Sequence, residues 1–365
     1  MLDEKDRAEL SDERSAALEK EAARLADAVG HHGRRVLLVG GAGYIGCPVA
    51  MGLCAAGAEV VCLDQLVYHH GAAMLSLMAH PNYRFVAGDM GDPEALGRAL
   101  DGVTDVVILG GLVGDPITKA FPDDAAAVND IAIRRCLDAL DGRGLNKVIF
   151  VSTCSNYGLI PDGALADESF ELTPLSLYAK SKVAAEQDLL SRAGSVDYAP
   201  TVLRFATAFG LAPRMRFDLT VNEFAREIAI GNELVVFDAH TWRPYCHVSD
   251  FARLIQRVLS WPRGDVAGEV FNAGGDENNH TKQSIVDLIT ARVPDAKVSY
   301  RENSSDPRNY RVDFAKARTV LGFEPRFSVS DGIDEILRAI GAHMLDDVDV
   351  RRNFYGNYAL PGLKS

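Results

Sequence analysis

Residues 36–46 read Val36-Leu37-Leu38-Val39-Gly40-Gly41-Ala42-Gly43-Tyr44-Ile45-Gly46. Four apolar residues predict a buried strand, and the glycines that follow predict a sharp turn into a helix over 44–56. Gly41, Gly43 and Gly46 satisfy G-x-G-x-x-G, and Gly40 opens a second glycine spacing with Gly43 and Gly46. Glycine is needed where backbone must turn tightly and approach a pyrophosphate. A helix that starts there aims unpaired N–H groups at the phosphates. Gly40, Gly43, Tyr44, Ile45 and Gly46 are therefore candidate cofactor-binding residues. A second strand over 59–63 follows and runs into Asp64. A carboxylate at that point accepts bonds from both ribose hydroxyls of an adenosine and repels a 2′-phosphate. The expected cofactor is NAD rather than NADP.

Outward from this unit, short apolar runs alternate with helical segments. Strands are expected at 83–87, 105–109, 147–152 and 201–205, with helices at 125–140 and 177–193. Such alternation means a parallel sheet covered on both faces. The expected fold class is α/β, a Rossmann-type doubly wound sheet with a smaller C-terminal substrate-binding lobe. After Gly210 the text is less regular, with Pro213 and the basic residues Arg214 and Arg216. The expected division is a helical extension over 1–33, a dinucleotide-binding domain over 34–210 to which 246–277 returns, a lobe over 211–245 and 278–345, and a tail over 346–365. Within the extension, Leu18, Ala22, Leu25 and Val29 fall at helical spacing. Asp89-Met90 and Gly110-Gly111 follow two of the strands and are further candidates to meet the cofactor.

A second constellation carries chemistry. In Tyr178-Ala179-Lys180-Ser181-Lys182, Tyr178 and Lys182 are four apart on the expected helix, on one face and about 6 Å apart along the axis. A lysine cation beside a phenol favours the phenolate, which makes Tyr178 a candidate general base. Alone, the pattern reads as an ordinary solvated helix face. It gains weight from Ser152-Thr153-Cys154-Ser155-Asn156-Tyr157-Gly158, which places hydroxyls at the carboxyl end of a strand, where open α/β sheets bind ligands.

Composition excludes other classes. Lys and Arg number 38 against 51 Asp and Glu, for a net charge of −13, which disfavours general nucleic-acid binding. No run approaches the ~20 apolar residues that span a bilayer, so no membrane partner is expected. The start, Met1-Leu2-Asp3-Glu4-Lys5, lacks the basic and apolar blocks of a signal peptide. Six cysteines without a C-x-x-C pair suit a reducing compartment, so a cytoplasmic protein is expected. His69, His70 and His247 have no acidic or thiol partners at ligand spacing, and no metal is expected.

Taken together, these motifs resemble the extended short-chain dehydrogenase/reductases, in particular the nucleotide-sugar epimerase/dehydratase group. The resemblance covers about residues 34 to 340. It is carried by GGAGYIG at 40–46, Asp64, GDM at 88–90, STCSNYG at 152–158, SLYAKSK at 176–182, LRFATAFG at 203–210, WRPYCHVSD at 242–250 and FNAGG at 271–275. It implies that Thr153 bonds the sugar hydroxyl being oxidised, that Tyr178 is the acid/base, and that Lys182 binds the nicotinamide ribose and tunes Tyr178. It implies that Asn129 supports active-site backbone. Cys154, Ser155, Thr207, Arg243 and Arg308 fall at substrate positions, the two arginines reaching the nucleotide and the diphosphate. Thr207 stands where many relatives have asparagine. In 4,6-dehydratases the doublet at 154–155 is Asp-Glu, and here it is Cys-Ser.

What the resemblance implies is an NAD-dependent nucleotide-sugar epimerase, acting at C4 through a transient keto sugar. A dehydratase, decarboxylase or ketoreductase of the same group is the rival enzyme. A non-catalytic NAD-binding sensor is the rival of another class, disfavoured because Thr153, Tyr178 and Lys182 are all present. The expected partners are a nucleotide-diphosphate sugar and a second copy of the chain, packed through the helices at 125–140 and 177–193.

Overall fold

The computed structural model describes residues 30–161, 163–302 and 308–361. The expected helix before residue 30 lies outside the described residues. Among the described residues, twelve strands run in chain order: β1 (Arg35–Val39), β2 (Glu59–Asp64), β3 (Tyr83–Ala87), β4 (Asp105–Ile108), β5 (Lys147–Thr153), β6 (Ala199–Phe205), β7 (Thr207–Phe209), β8 (Glu233–Phe237), β9 (Trp242–His247), β10 (Glu269–Ala273), β11 (Asn279–Thr281) and β12 (Lys297–Arg301). Seven of them form the central sheet in the order β10-β6-β5-β4-β1-β2-β3. Every pairing in it is parallel. This is the Rossmann-type doubly wound sheet.

The inner strands are mostly apolar because both faces are covered. Alternate side chains divide between two cores. Val36, Leu38, Val60, Cys62, Ile149 and Leu203 point into one. Leu37, Val39, Val61, Leu63, Val148 and Phe150 point into the other. On the first side the rings of Phe205 and Phe251 stack 3.8 Å apart, which pins the helix Val248–Ser260 to the sheet.

The strand order reverses between β1 and β4. Loops at the carboxyl ends there diverge and leave a crevice, the usual ligand site of open α/β sheets. A smaller sheet ordered β11-β9-β7 roofs it, and a further sheet pairs β12 with β8. These strands are only three to six residues long. The helix expected over 125–140 is broken into Pro122–Ala126, one π-helical turn over Ala127–Ala132, and Ile133–Leu140. Such wide turns place side chains that a regular helix would rotate away, and this one carries Asn129. Residues 342–361 fold back over the body. The Phe217 amide donates to the Tyr355 carbonyl at 2.8 Å, and Asn357 Nδ2 donates to the Val113 carbonyl at 2.9 Å.

Candidate active site

A cavity of about 870 Å³ fills the crevice between the sheet and its roof. Its floor is the glycine turn. Gly40 has φ +78°, and a Cβ there would run into the Gly110 backbone. A Cβ on Gly46 would run into the Gly41 carbonyl, whereas one on Gly43 would meet only the Gly40 carbonyl, at 3.5 Å. Gly40 and Gly46 thus permit close packing of the turn, and Gly43 leaves room for a ligand. This is a cradle shaped for a pyrophosphate. The helix Gly46–Ala55 begins at its edge. Tyr44 also lines the cavity, but its hydroxyl is taken: it donates to the Gly210 carbonyl and accepts from Asn222 Nδ2 at 2.9 Å. The side chain therefore ties the turn to the roof, while Ile45 lies on the cavity wall.

Asp64 is held at the tip of β2 by two backbone amides. Ala42 donates to Oδ2 at 3.1 Å and Leu66 to Oδ1 at 2.8 Å. Burial raises its pKa, and the amides and Arg214 oppose that rise. Met90, Gly110 and Gly111 line the same region. Asp89 does not: its carboxylate closes a turn by accepting from the Gly91 amide at 2.7 Å. Asn129 lies behind the wall and brackets Leu112, accepting from its amide at 2.8 Å and donating to its carbonyl at 3.0 Å. A Cβ on Gly111 would meet Asn129 Oδ1 at 2.9 Å, so glycine there lets the loop lie against Asn129.

At the other end, β5 delivers Thr153 to the cavity. Its hydroxyl oxygen accepts from the Ser155 amide at 3.1 Å. The helix Leu177–Ser191 starts at Ser176, whose Oγ caps the Ala179 amide at 3.2 Å. Tyr178 lies in its first turn and Lys182 one turn on. Lys182 Nζ donates to the Val151 carbonyl at 2.8 Å and lies 6.0 Å from the centre of the Tyr178 ring. Burial pulls the amine down to about 8.

The Tyr178 phenol is pushed up by burial, and Arg216 is the charge that opposes this most. Lys182 Nζ is turned to the Val151 carbonyl. One expectation needs correction here. Cys154, expected at the substrate, faces the core: it is 1% exposed and its thiol donates to the Arg204 carbonyl at 3.1 Å. A single 3₁₀ turn over Cys154–Tyr157 sends Cys154 inward and Ser155 to the cavity wall.

Thr207, Arg243 and Arg308 also line the cavity. Arg243 Nη1 donates to the Trp242 carbonyl at 2.7 Å and to the Arg308 carbonyl. Arg308 Nη2 pairs with Asp115 Oδ2 at 2.7 Å, and its Nη1 reaches Ser155 Oγ at 3.4 Å. Two basic residues first read only as the exit from the sheet, Arg214 and Arg216, belong to the wall as well. Arg216 is clamped by Asp218 through bonds of 3.0 and 2.6 Å. The basic pair after Pro213 was the available signal. Asn357 and Tyr358, from the expected tail, complete the wall and carried no signal. Among the described residues no group of three His, Cys, Asp or Glu side chains is placed to hold a metal, and no helix is long and apolar enough to cross a membrane.

Comparison with known proteins agrees with this geometry. The profile of the NAD dependent epimerase/dehydratase family matches residues 36–274. The dTDP-glucose 4,6-dehydratase of Streptomyces niveus is 29% identical over 314 residues, covering 82% of this chain and 91% of that protein. The UDP-glucose 4-epimerase of Streptococcus mutans is 28% identical over 333 residues, covering 84% and 96%. Among solved structures, a dTDP-glucose 4,6-dehydratase from Bacillus anthracis in complex with NAD superposes with a TM-score of 0.75 at 23% identity, covering 85% of this chain and 97% of that one. Cradle, acid at the β2 tip and parallel sheet all suit NAD, and the chain belongs to the NAD-dependent epimerase/dehydratase family.

Proposed function

We propose that the protein is a nucleotide-sugar epimerase that inverts C4 through a transient keto sugar. The observation that carries this reading is the chemistry at the end of β5. Beyond Thr153 stand a thiol turned into the core and a serine hydroxyl on the wall. No carboxyl group occupies either position to expel water from a keto sugar. In this reading Thr153 holds the sugar hydroxyl and Tyr178 removes its proton. Lys182 binds the nicotinamide ribose. The bound cofactor supplies a hydride acceptor and donor, so the reaction is redox-neutral. Arg243, Arg308 and Thr207 take the nucleotide and diphosphate, for which the planar arginine fork is suited. Gly110, Gly111, Met90 and the loop that Asn129 braces hold the cofactor.

A second reading has an observation of its own. Glu223, on the helix Thr220–Ala229, lines the cavity, and burial with Glu227 and Asp218 nearby raises its carboxyl to about 7. Such a group holds a proton near neutral pH, as a dehydratase acid must. The test is turnover of a panel of nucleoside-diphosphate hexoses with no reduced cofactor added, read by NMR of the sugar ring. Epimers are expected. Keto-deoxy products, abolished by Glu223→Gln, would replace the epimerase reading with a dehydratase.

The homodimer belongs to the same proposal. Ile131 and Leu177, 51% and 54% exposed, lie on the two helical segments expected to pack against a second copy. All six thiols are free, which supports a reducing, cytoplasmic setting.

A further inference from the structure

Beside Asp64 the cavity wall holds three polar groups with nothing to bond. His70 is 3% exposed, and neither ring nitrogen has a hydrogen-bond partner. The Tyr68 hydroxyl and Arg214 Nε are likewise buried and unpartnered. All three residues line the cavity. They touch one another as well. The Arg214 guanidinium lies 4.7 Å over the Tyr68 ring, and the Tyr68 and His70 rings are 6.2 Å apart. His70 Nε2 stands 3.9 Å from Asp64 Oδ1, too far for a direct bond.

Leaving a buried donor or acceptor unsatisfied costs about 1–3 kcal/mol. Three such groups on one cavity wall are costly unless a polar ligand completes them. Burial, together with Arg214 and His69, pulls the His70 ring down to about 3. The ring is therefore neutral, with one N–H to donate and one nitrogen to accept. A ribose hydroxyl oxygen can accept from that N–H. Arg214 is fixed from the far side, where its Nη2 donates to Asn357 Oδ1 at 2.7 Å.

We propose that His70, backed by Tyr68 and Arg214, is a second reader of the adenosine ribose of NAD, donating its N–H to the oxygen of a hydroxyl whose proton goes to Asp64. The site belongs to the adenosine half of the cofactor alone. Variants at His70 must therefore change the grip on that half without touching the nicotinamide end.

The test uses protein loaded with radiolabelled NAD and chased with excess unlabelled NAD, with ADP-ribose and nicotinamide mononucleotide as competitors. His70→Leu is expected to release NAD about tenfold faster, one strong bond being about a factor of ten. ADP-ribose should weaken in step with NAD, so its power to displace labelled NAD stays unchanged. Nicotinamide mononucleotide should become about tenfold more effective relative to NAD. His70→Asn, which keeps a neutral donor and acceptor, should recover most of the loss, and Tyr68→Phe should release NAD a few-fold faster. If His70→Leu does not fold, the Asn and Phe variants carry the comparison. Unchanged release in the Leu and Phe variants, equal weakening in Leu and Asn, or no relative gain by the mononucleotide would each overturn the proposal. The first of these would leave the orphaned groups to an ordered water.

Discussion

Replacing Lys182 with methionine should stabilise the protein while ending its chemistry. The amine is 3% exposed, and burial brings its titration from an ordinary 10.5 to about 8. Keeping it charged in the folded state at pH 7 therefore costs about 3 kcal/mol. The sign follows from proton counts. Between pH 8 and 10.5 the unfolded chain holds more protons on this lysine than the folded one, so stability rises with pH across that window. The penalty is fully present below pH 8 and gone above 10.5. Methionine fills a similar volume without charge and forfeits one bond to the Val151 carbonyl, worth about 1 kcal/mol. The net gain at pH 7 is about 2 kcal/mol, or about 2–3 °C for a chain of this length. The assay is thermal unfolding by circular dichroism on protein stripped of NAD, wild type against Lys182→Met, at pH 7 and pH 10.5. Lys147 is buried in the same way, but it is present in both proteins and cancels. A variant that melts below wild type at pH 7, or a gain of equal size at pH 10.5, would refute the reasoning.

Tyr178→Phe removes one hydroxyl and should cut turnover about 10²–10⁴-fold, with NAD affinity by calorimetry unchanged; a loss of only a few-fold would assign the proton transfer to another group. Asp64→Ala should weaken NAD and narrow its preference over NADP, because the carboxylate that faces a 2′-phosphate is gone, and equal binding of both by wild type would sink the assignment. Arg308 is paired with Asp115, so a diphosphate must displace that carboxylate. Asp115→Asn should accordingly lower KM for the nucleotide sugar about two- to five-fold, the worth of a partly exposed ion pair, and a raised KM would mean that Asp115 helps to hold substrate.

Much of the fold was legible because the signals are local. A four-residue apolar run, a glycine turn and an acid at the next strand end lie within some thirty residues, and their order alone implies the parallel sheet. Tyr178 and Lys182 were readable because helical spacing is fixed at four residues. What was not legible depends on distant contacts. Asn357 reaches the cavity only because residues 342–361 fold back onto Phe217 and Val113. Arg216 faces the cavity because Asp218 clamps it. Cys154 turned inward because one 3₁₀ turn replaced strand alternation after Thr153. The wide turn at Asn129 has no sequence period of its own, so it read as plain helix. The three-residue strands β7 and β11 are too short to show alternation.

The central claim is inversion at C4 by hydride that leaves and returns to the same carbon. Its most direct test is the mass spectrum of product formed in deuterated water from an accepted nucleotide sugar. Hydride held by the enzyme-bound cofactor does not exchange with solvent, so the account predicts an epimer of unchanged mass with no deuterium on any ring carbon. A product lighter by one water and carrying deuterium at C5 would contradict it.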